Sequence, residues 1–319
     1  MESDVVHFIK LPTEIKIEIA QNLSSHDLAT LSTTSKVHLA LFKPMIDVRK
    51  FLYYVTHGEH DAVKAMLKKD VSLIFRRGRV TDCSGREFGN VSGFEYTLWS
   101  LDKYMWVAMI ACIPSSKKGK KVFTQLIAQY NKVNTEGVSY RLKGKTITEQ
   151  HFDFKNTIIK ELQTQVDSLS NRGDKTPNEF EKQWREGVGG AQYLLPIPVV
   201  DEYCSDESFF PVPKFNTQPK SSRQFYNWIT QKNENWISQS SKLSVDFAIY
   251  KGGGGWAGDG CVELRTSAVE CGALRPSERD LNAMTALCEV RTNDFIILKS
   301  QLEKQAGLDN HQVVRHYPK

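Results

Sequence analysis

IKLPTEIKIEIAQNLSSHDLATLSTTSKVHLALFKP, residues 9–44, sets the architecture of the front of this chain. Leu11-Pro12 opens it, and proline suits the first turn of a helix, where its missing N–H would have no partner anyway. Leu11, Ile15, Ile19 and Leu23 recur every four residues and lay one apolar stripe along a first helix. Ser24-Ser25 interrupts the stripe. Either serine can cap a second helix, with Asp27 near its positive end and Leu28 and Leu31 as its apolar face. Thr34 or Ser35 can cap a third helix that carries Val37, Leu41 and Phe42, and Pro44 argues against its continuation. Helices this short bury too little surface to stand alone. Their stripes need cover, from the rest of the chain or from a partner.

Leu11-Pro12, Glu14-Ile15, Ile19, Leu23, Asp27-Leu28, Leu31 and Ser35-Lys36 fall in the order and spacing of an F-box, and the segment resembles that family. The resemblance implies a three-helix module that binds the Skp adaptor of cullin–RING ubiquitin ligases. Leu11 and Pro12 match the pair that wedges into the adaptor. Ile15, Ile19, Leu28 and Leu31 match apolar positions of the adaptor-facing or inter-helix surface, and Leu23 completes the stripe. Such anchors act by burying area, roughly 25 cal/mol per Å² before the costs of association, so no catalytic group is needed. One departure is the end of the motif: many F-boxes close on C-K/R-x-W, whereas here it reads Ser35-Lys36-Val37-His38.

Working outward, Phe51, Leu52 and Val55 read as a short helix that ends near Gly58, followed by a second helix with Val63, Met66 and Leu67. This spacing is similar to an ankyrin helix–turn–helix. A second such unit opens at Ser92-Gly93-Phe94-Glu95-Tyr96-Thr97 and runs through Trp99, Leu101, Met105, Trp106 and Ile110, after an insertion around Arg76–Phe88. An F-box joined to ankyrin-like units resembles effectors that intracellular bacteria inject by type IV secretion. The segment VTDCSGREFGNVSGFEYTLWSLDKYMW (80–106) resembles a recurring segment of such effectors. That resemblance implies a protein secreted into the host cell, working in its cytoplasm.

Residues 114–122 (PSSKKGKKV) read as a hinge. Beyond it, Phe123, Leu126 and Ile127, then Ile158, Ile159 and Leu162, have helical spacing around a polar stretch of ambiguous pattern. A further helix from Glu179 is expected to end at Gly187–Gly190. Aromatic residues crowd after 190, among them Tyr226, Trp228 and Trp236, which are candidate anchors for a protein substrate. Val245–Tyr250 reads as a buried strand, and 278–291 and 296–305 as two closing helices. The expected fold class is a mainly α N-terminal half, a three-helix F-box plus degenerate ankyrin-like helix pairs, followed by an α+β C-terminal domain. The expected divisions are 1–44, an ankyrin-like region at 45–115, a helical connector at 116–190, and a substrate-binding domain at 191–319.

The chain has 319 residues, 40% hydrophobic and 25% charged, an ordinary globular mixture, and no stretch approaches the roughly 18 apolar residues that a membrane span needs. Net charge is +5; residues 45–190 carry the excess, with 24 Lys/Arg against 17 Asp/Glu. Arg76, Arg77, Arg79 and the run Lys117, Lys118, Lys120, Lys121 lead it. Without aromatic residues among those lysines the run reads as a solvated face, and neither nucleic acid nor membrane is expected as a partner. Six scattered cysteines (Cys83, Cys112, Cys204, Cys261, Cys271, Cys288) include no C-x-x-C pair, so reduced thiols are the default. The glycines at 252–255, 258 and 260 lack the lysine and spacing of a phosphate cradle and read as a loop.

His57 and His60 beside Asp61 fall on a solvated turn, and no metal or other cofactor is expected. Cys204 has acids but no base nearby in sequence, and Glu263 and Glu270 have only spacing to recommend them as an acid–base pair. The F-box resemblance, with no catalytic signature beside it, implies a non-catalytic substrate receptor. The alternative is an enzyme that modifies a host protein through its C-terminal domain, with the F-box as a delivery module.

Overall fold

The computed structural model describes residues 8, 10–171, 173, 176–227, 230–238, 243–249, 251–252 and 274–307. The N-terminal half is helix-rich and an α+β region follows it, in the order the sequence predicts. The opening trio is α1 (Thr13–Asn22), α2 (Ser25–Thr33) and α3 (Lys36–Thr56). Ser24 caps α2 by accepting from the Asp27 amide at 3.0 Å, and Ser35 caps α3 by accepting from the His38 amide at 3.0 Å.

The expected stop at Pro44 does not occur. α3 runs through Pro44 and absorbs the separate helix expected over Phe51–Val55. Pro44 removes one backbone donor and crowds the turn before it. Yet it is exposed, and the turns around it are held by buried Phe42, Val48, Phe51, Leu52 and Val55. Burial of that face overrides the local break.

Gly58, at φ +66°, turns the chain into α4 (His60–Lys69). A second helix pair, α5 (Gly93–Trp99) and α6 (Lys103–Ile110), stacks on the first, α3 against α5 and α4 against α6. A capping box starts α5: Ser92 Oγ accepts from the Glu95 amide and the Glu95 carboxylate from the Ser92 amide, each at 3.0 Å. The insertion between the pairs is a hairpin, β1 (Arg77–Thr81) and β2 (Glu87–Ser92). Its turn is built on Asp82, whose carboxylate accepts from the amides of Ser84 and Arg86.

The stretch expected as a hinge is the start of α7 (Lys117–Glu136), capped by Ser116, with its four lysines in solvent. Lysine is a good helix former, which the hinge reading discounted. The ambiguous polar stretch is a second hairpin, β3 (Val138–Leu142) and β4 (Lys145–Glu149). Its two-residue turn has positive φ at both Lys143 and Gly144, the geometry that matches strand twist. The four strands form one antiparallel sheet in the order β1-β2-β3-β4, with β2 and β3 meeting at one pair, Glu87↔Arg141.

A π-helical turn (Lys155–Ile159) leads into α8 (Lys160–Ser170). Then α9 (Pro177–Lys182), a π-helical stretch (Gln183–Val188) and α10 (Gly189–Tyr193) run as one helical path through the glycines expected to end it. Gly189 remains helical where a Cβ would come within 2.8 Å of the Phe247 carbonyl, so it serves close packing and not termination. After α11 (Ile197–Tyr203) comes a hairpin, β5 (Gln224–Asn227) and β6 (Lys232–Asn235).

In residues 243–249, Leu243, Phe247, Ala248 and Ile249 are buried and Val245 is exposed, and the segment is not the expected strand. The Ser244 amide donates to the Phe247 carbonyl and closes a turn. The Gln192 side chain engages both backbone polar groups of Ile249, replacing a neighbouring strand. The two closing helices are one, α12 (Leu274–Ala306), which packs on α7 and α8.

A single apolar core runs from Val48 to Leu302, and the boundaries at 115 and 190 fall inside it. Trp99 sits at its middle among the rings of Phe88, Tyr96, Tyr140 and Phe152, with the buried Arg86 guanidinium 5.1 Å over the indole. A much smaller core, Ala20, Leu28 and Phe42, belongs to the trio.

Candidate functional site

The trio turns apolar side chains in both directions. Inward, Ala20, Leu28 and Phe42 are fully buried, with Phe8, Leu23, Leu31, Leu41, Met45 and Ile46 packed around them. Outward, Pro12 is exposed, Ile15 is 41% and Ile19 39% exposed on the same side of α1, and Val37 is 72% and Leu39 48% exposed at the start of α3. The seven anchors expected from the sequence therefore divide. Pro12, Ile15 and Ile19 face solvent; Leu11, Leu23 and Leu31 are half-buried; Leu28 is wholly internal and unavailable to a partner. Leu28 lies on the side of α2 that closes over α3, at the centre of the small core, and Leu31, on the same side, packs at its edge.

Two arginines hold the end of α1, one from α3 and one from the body. The last carbonyls of a helix lack intrahelical donors. Arg49, from the middle of α3, donates to the carbonyls of Leu23 (2.7 Å), Gln21 (3.0 Å) and Ala20 (3.2 Å). Arg79, from β1, donates to Asn22 at 3.1 Å. Both charges also oppose the negative end of α1. Burial and the nearby Arg79 charge lower the Arg49 pKa below its ordinary value. Neither residue is legible as an anchor from the sequence: Arg49 sits 29 positions from Ala20 and Arg79 57 positions from Asn22.

In the C-terminal part, the three aromatic candidates do not converge on an open groove. Trp236 is buried against Tyr203 and Phe225. Tyr226 is half-buried on β5. Trp228 lies outside the described residues, as do Gly253–Gly255, Gly258, Gly260, Cys261, Cys271, Glu263 and Glu270. Trp236 does reach one wall of a hollow of about 280 Å³, shared with Tyr193, Ile237 and Cys83. Burial pushes the thiols of Cys83 and Cys204 up to about 12, which keeps both protonated and poor as nucleophiles. His57 stacks on Tyr53 at 3.9 Å, and among the described residues no group of three His, Cys, Asp or Glu could hold a metal.

The strongest electrostatic feature there is a clamp on α12. Arg291 pairs with Glu202 of α11 at 3.0 Å and donates to the Phe215 carbonyl at 2.9 Å. Asp280 accepts from the backbone amides of Lys251 and Gly252, and Lys251 Nζ donates to the Glu202 carbonyl (2.5 Å) and Ser205 Oγ (2.7 Å). Burial raises Glu202 to about 7 against the pull of Arg291 and Lys251, and raises Asp280 to about 7 against its amide donors. These groups hold one another within the interior. Lys103, at the start of α6, adds a 2.8 Å pair to Asp294.

Residues 157–302, the part that holds this clamp, match a family model described as the CBUA0006 C-terminal domain. A relative from Coxiella burnetii (strain RSA 493 / Nine Mile phase I), described as "Uncharacterized protein CBUA0006", is 36% identical over 274 residues, covering 80% of this chain and 75% of its own length. The chain belongs to the CBUA0006 family. The matched share of this chain exceeds the family domain, so the likeness extends beyond the clamped region. No solved structure matches the chain.

Proposed function

We propose that the chain is a non-catalytic substrate receptor whose N-terminal trio docks on the Skp adaptor of a cullin–RING ubiquitin ligase and whose body holds a host protein for ubiquitination. The observation that carries this reading is the outward row Pro12, Ile15 and Ile19, left in solvent by a trio that already has its own inner core. In this reading Leu11 and Pro12 supply the wedge, Ile15 and Ile19 the apolar area, and Leu28 holds the helices together. The transfer chemistry belongs to other subunits, and the receptor acts by raising the local concentration of a substrate lysine. Its place of work is the host cytoplasm after secretion, a part that rests on the effector resemblance.

The test is a pull-down of the full chain with purified adaptor, comparing wild type with Leu11→Ala/Pro12→Ala and with Ile15→Asp/Ile19→Asp. Wild type is retained and both variants are lost. Retention of all three rejects this face, and failure of the wild type rejects the function.

A further inference from the structure

We propose that the groove between the trio and the β1–β2 hairpin receives an extended, acidic peptide segment of a partner protein. This rests on the receptor reading above and adds what the recruited protein presents.

The groove has a volume of about 880 Å³ and lies where the end of α1, the middle of α3 and the hairpin meet. Arg49, Arg76, Arg77 and Arg79 line it, and among the described residues no Asp or Glu does. The four charges are not equally committed. Arg49 is occupied by the α1 carbonyls, and Arg77 pairs with Glu95. Arg76 and Arg79 are exposed. Arg76 reaches Asp70 at 3.5 Å, an exposed pair of the kind worth little. Arg79 has one hydrogen bond, to Asn22, from a guanidinium with five donor hydrogens. Its charge also bears on Arg49, so an incoming carboxylate would relieve a crowding of like charges.

The other walls select the kind of anion. Pro44, Met45 and Val48 give an apolar side, which suits a side chain set between carboxylates. Gly78, Gly89 and Asn90 bring strand backbone to the surface, and a Cβ built at Gly89 meets no atom within 4 Å. A second groove of about 570 Å³ shares Gln21, Arg79, Gly89 and Asn90 with the first and continues between β2 and β3, where the sheet is paired at Glu87↔Arg141. An extended chain thus has a path past the arginines and along a strand, and its acidic residues belong to the arginine groove, because Glu87, Glu95 and Glu136 line the second. No aromatic residue lines the arginine groove, so nucleic-acid bases would have nothing there to stack on.

The experiment uses the full chain and fluorescence anisotropy with a fluorescein-labelled Asp/Glu peptide bearing a central Leu. A Lys-rich peptide of the same length and single-stranded oligo-dT serve as competitors. The acidic peptide binds, loses affinity as salt rises from about 50 to about 300 mM, and weakens about tenfold in Arg76→Glu/Arg79→Glu. Because Arg79 also steadies α1, Arg76→Glu is measured alone and weakens binding about threefold with the thermal transition unchanged. Absence of peptide binding, equal binding by the variants, or more effective competition by oligo-dT overturns the proposal. Adaptor retention separates the two readings. A chain that binds peptide but not adaptor defeats the receptor function and leaves the groove; the reverse defeats the groove alone.

Discussion

The trio and the body solve the same problem of apolar cover in different ways. The body has a large core with Trp99, Trp106 and Trp184 fully inside it, although Phe210, Val245 and Ile296 also stand exposed on it. The trio encloses three side chains completely and leaves Ile15, Ile19, Val37 and Leu39 in water. α3 belongs to both regions: Phe42 serves the small core, and Val48, Phe51, Leu52 and Val55 serve the large one. The trio's orientation is therefore set by a helix shared with the body and by polar tethers at the end of α1. A region held this way can offer apolar surface without collapsing onto its neighbour.

The contrast breaks most visibly at Trp99. Truncating a fully buried indole removes the centre of the ring cluster and one of the three rings around the Arg86 guanidinium. Trp99→Ala should cost about 4 kcal/mol, read as a lower denaturant midpoint with an unchanged slope. A loss below about 1 kcal/mol would mean that the body does not depend on this cluster.

A second contrast is pH. Glu202 and Asp280 have folded pKa values raised to about 7, so between the ordinary carboxylate range and pH 7 the folded body binds more protons than the unfolded chain. Stability is fully present below the unfolded values and falls as pH rises toward 7. At about 1.4 kcal/mol per unit of displacement, each of the two groups is expected to contribute a loss of about 2 kcal/mol between pH 5 and pH 7.5. Denaturant titrations across this range should show it, and Glu202→Gln should shrink it. A body more stable at pH 7.5 than at pH 5 contradicts the assignment.

Periodicity made the trio legible because α1 and α2 are short and separated by serines, one of which, Ser24, caps α2. It also marked both stacked helix pairs. It failed wherever long-range burial decided the matter. Pro44 reads as a stop unless the buried run behind it is known to share a core with the front. Gly187–Gly190 reads as a terminus unless the Phe247 carbonyl is known to press on Gly189. The β3–β4 hairpin had a local signal, Lys143-Gly144 between alternating residues, that a search for helical spacing passes over. At the candidate site the exposed anchors were readable, but Leu28 was not separable from them, since a stripe does not say which side is already occupied. The clamp was beyond reach, because Glu202 and Arg291 stand 89 positions apart.

The smallest effect tests the tethers themselves. Arg49→Ala removes the donors that Ala20, Gln21 and Leu23 share, but Gln21 is exposed and water can reach its carbonyl. The cost should be about 1.5 kcal/mol, and local, because the body retains its own core. Hydrogen exchange should quicken at the amides of α1 while those of α5 and α7 keep their protection. Adaptor capture should weaken as α1 loses its fixed angle, even though Pro12, Ile15 and Ile19 are unaltered. If α5 and α7 lose protection together with α1, the trio is no separate unit, and the outward row is one edge of the same cooperative body.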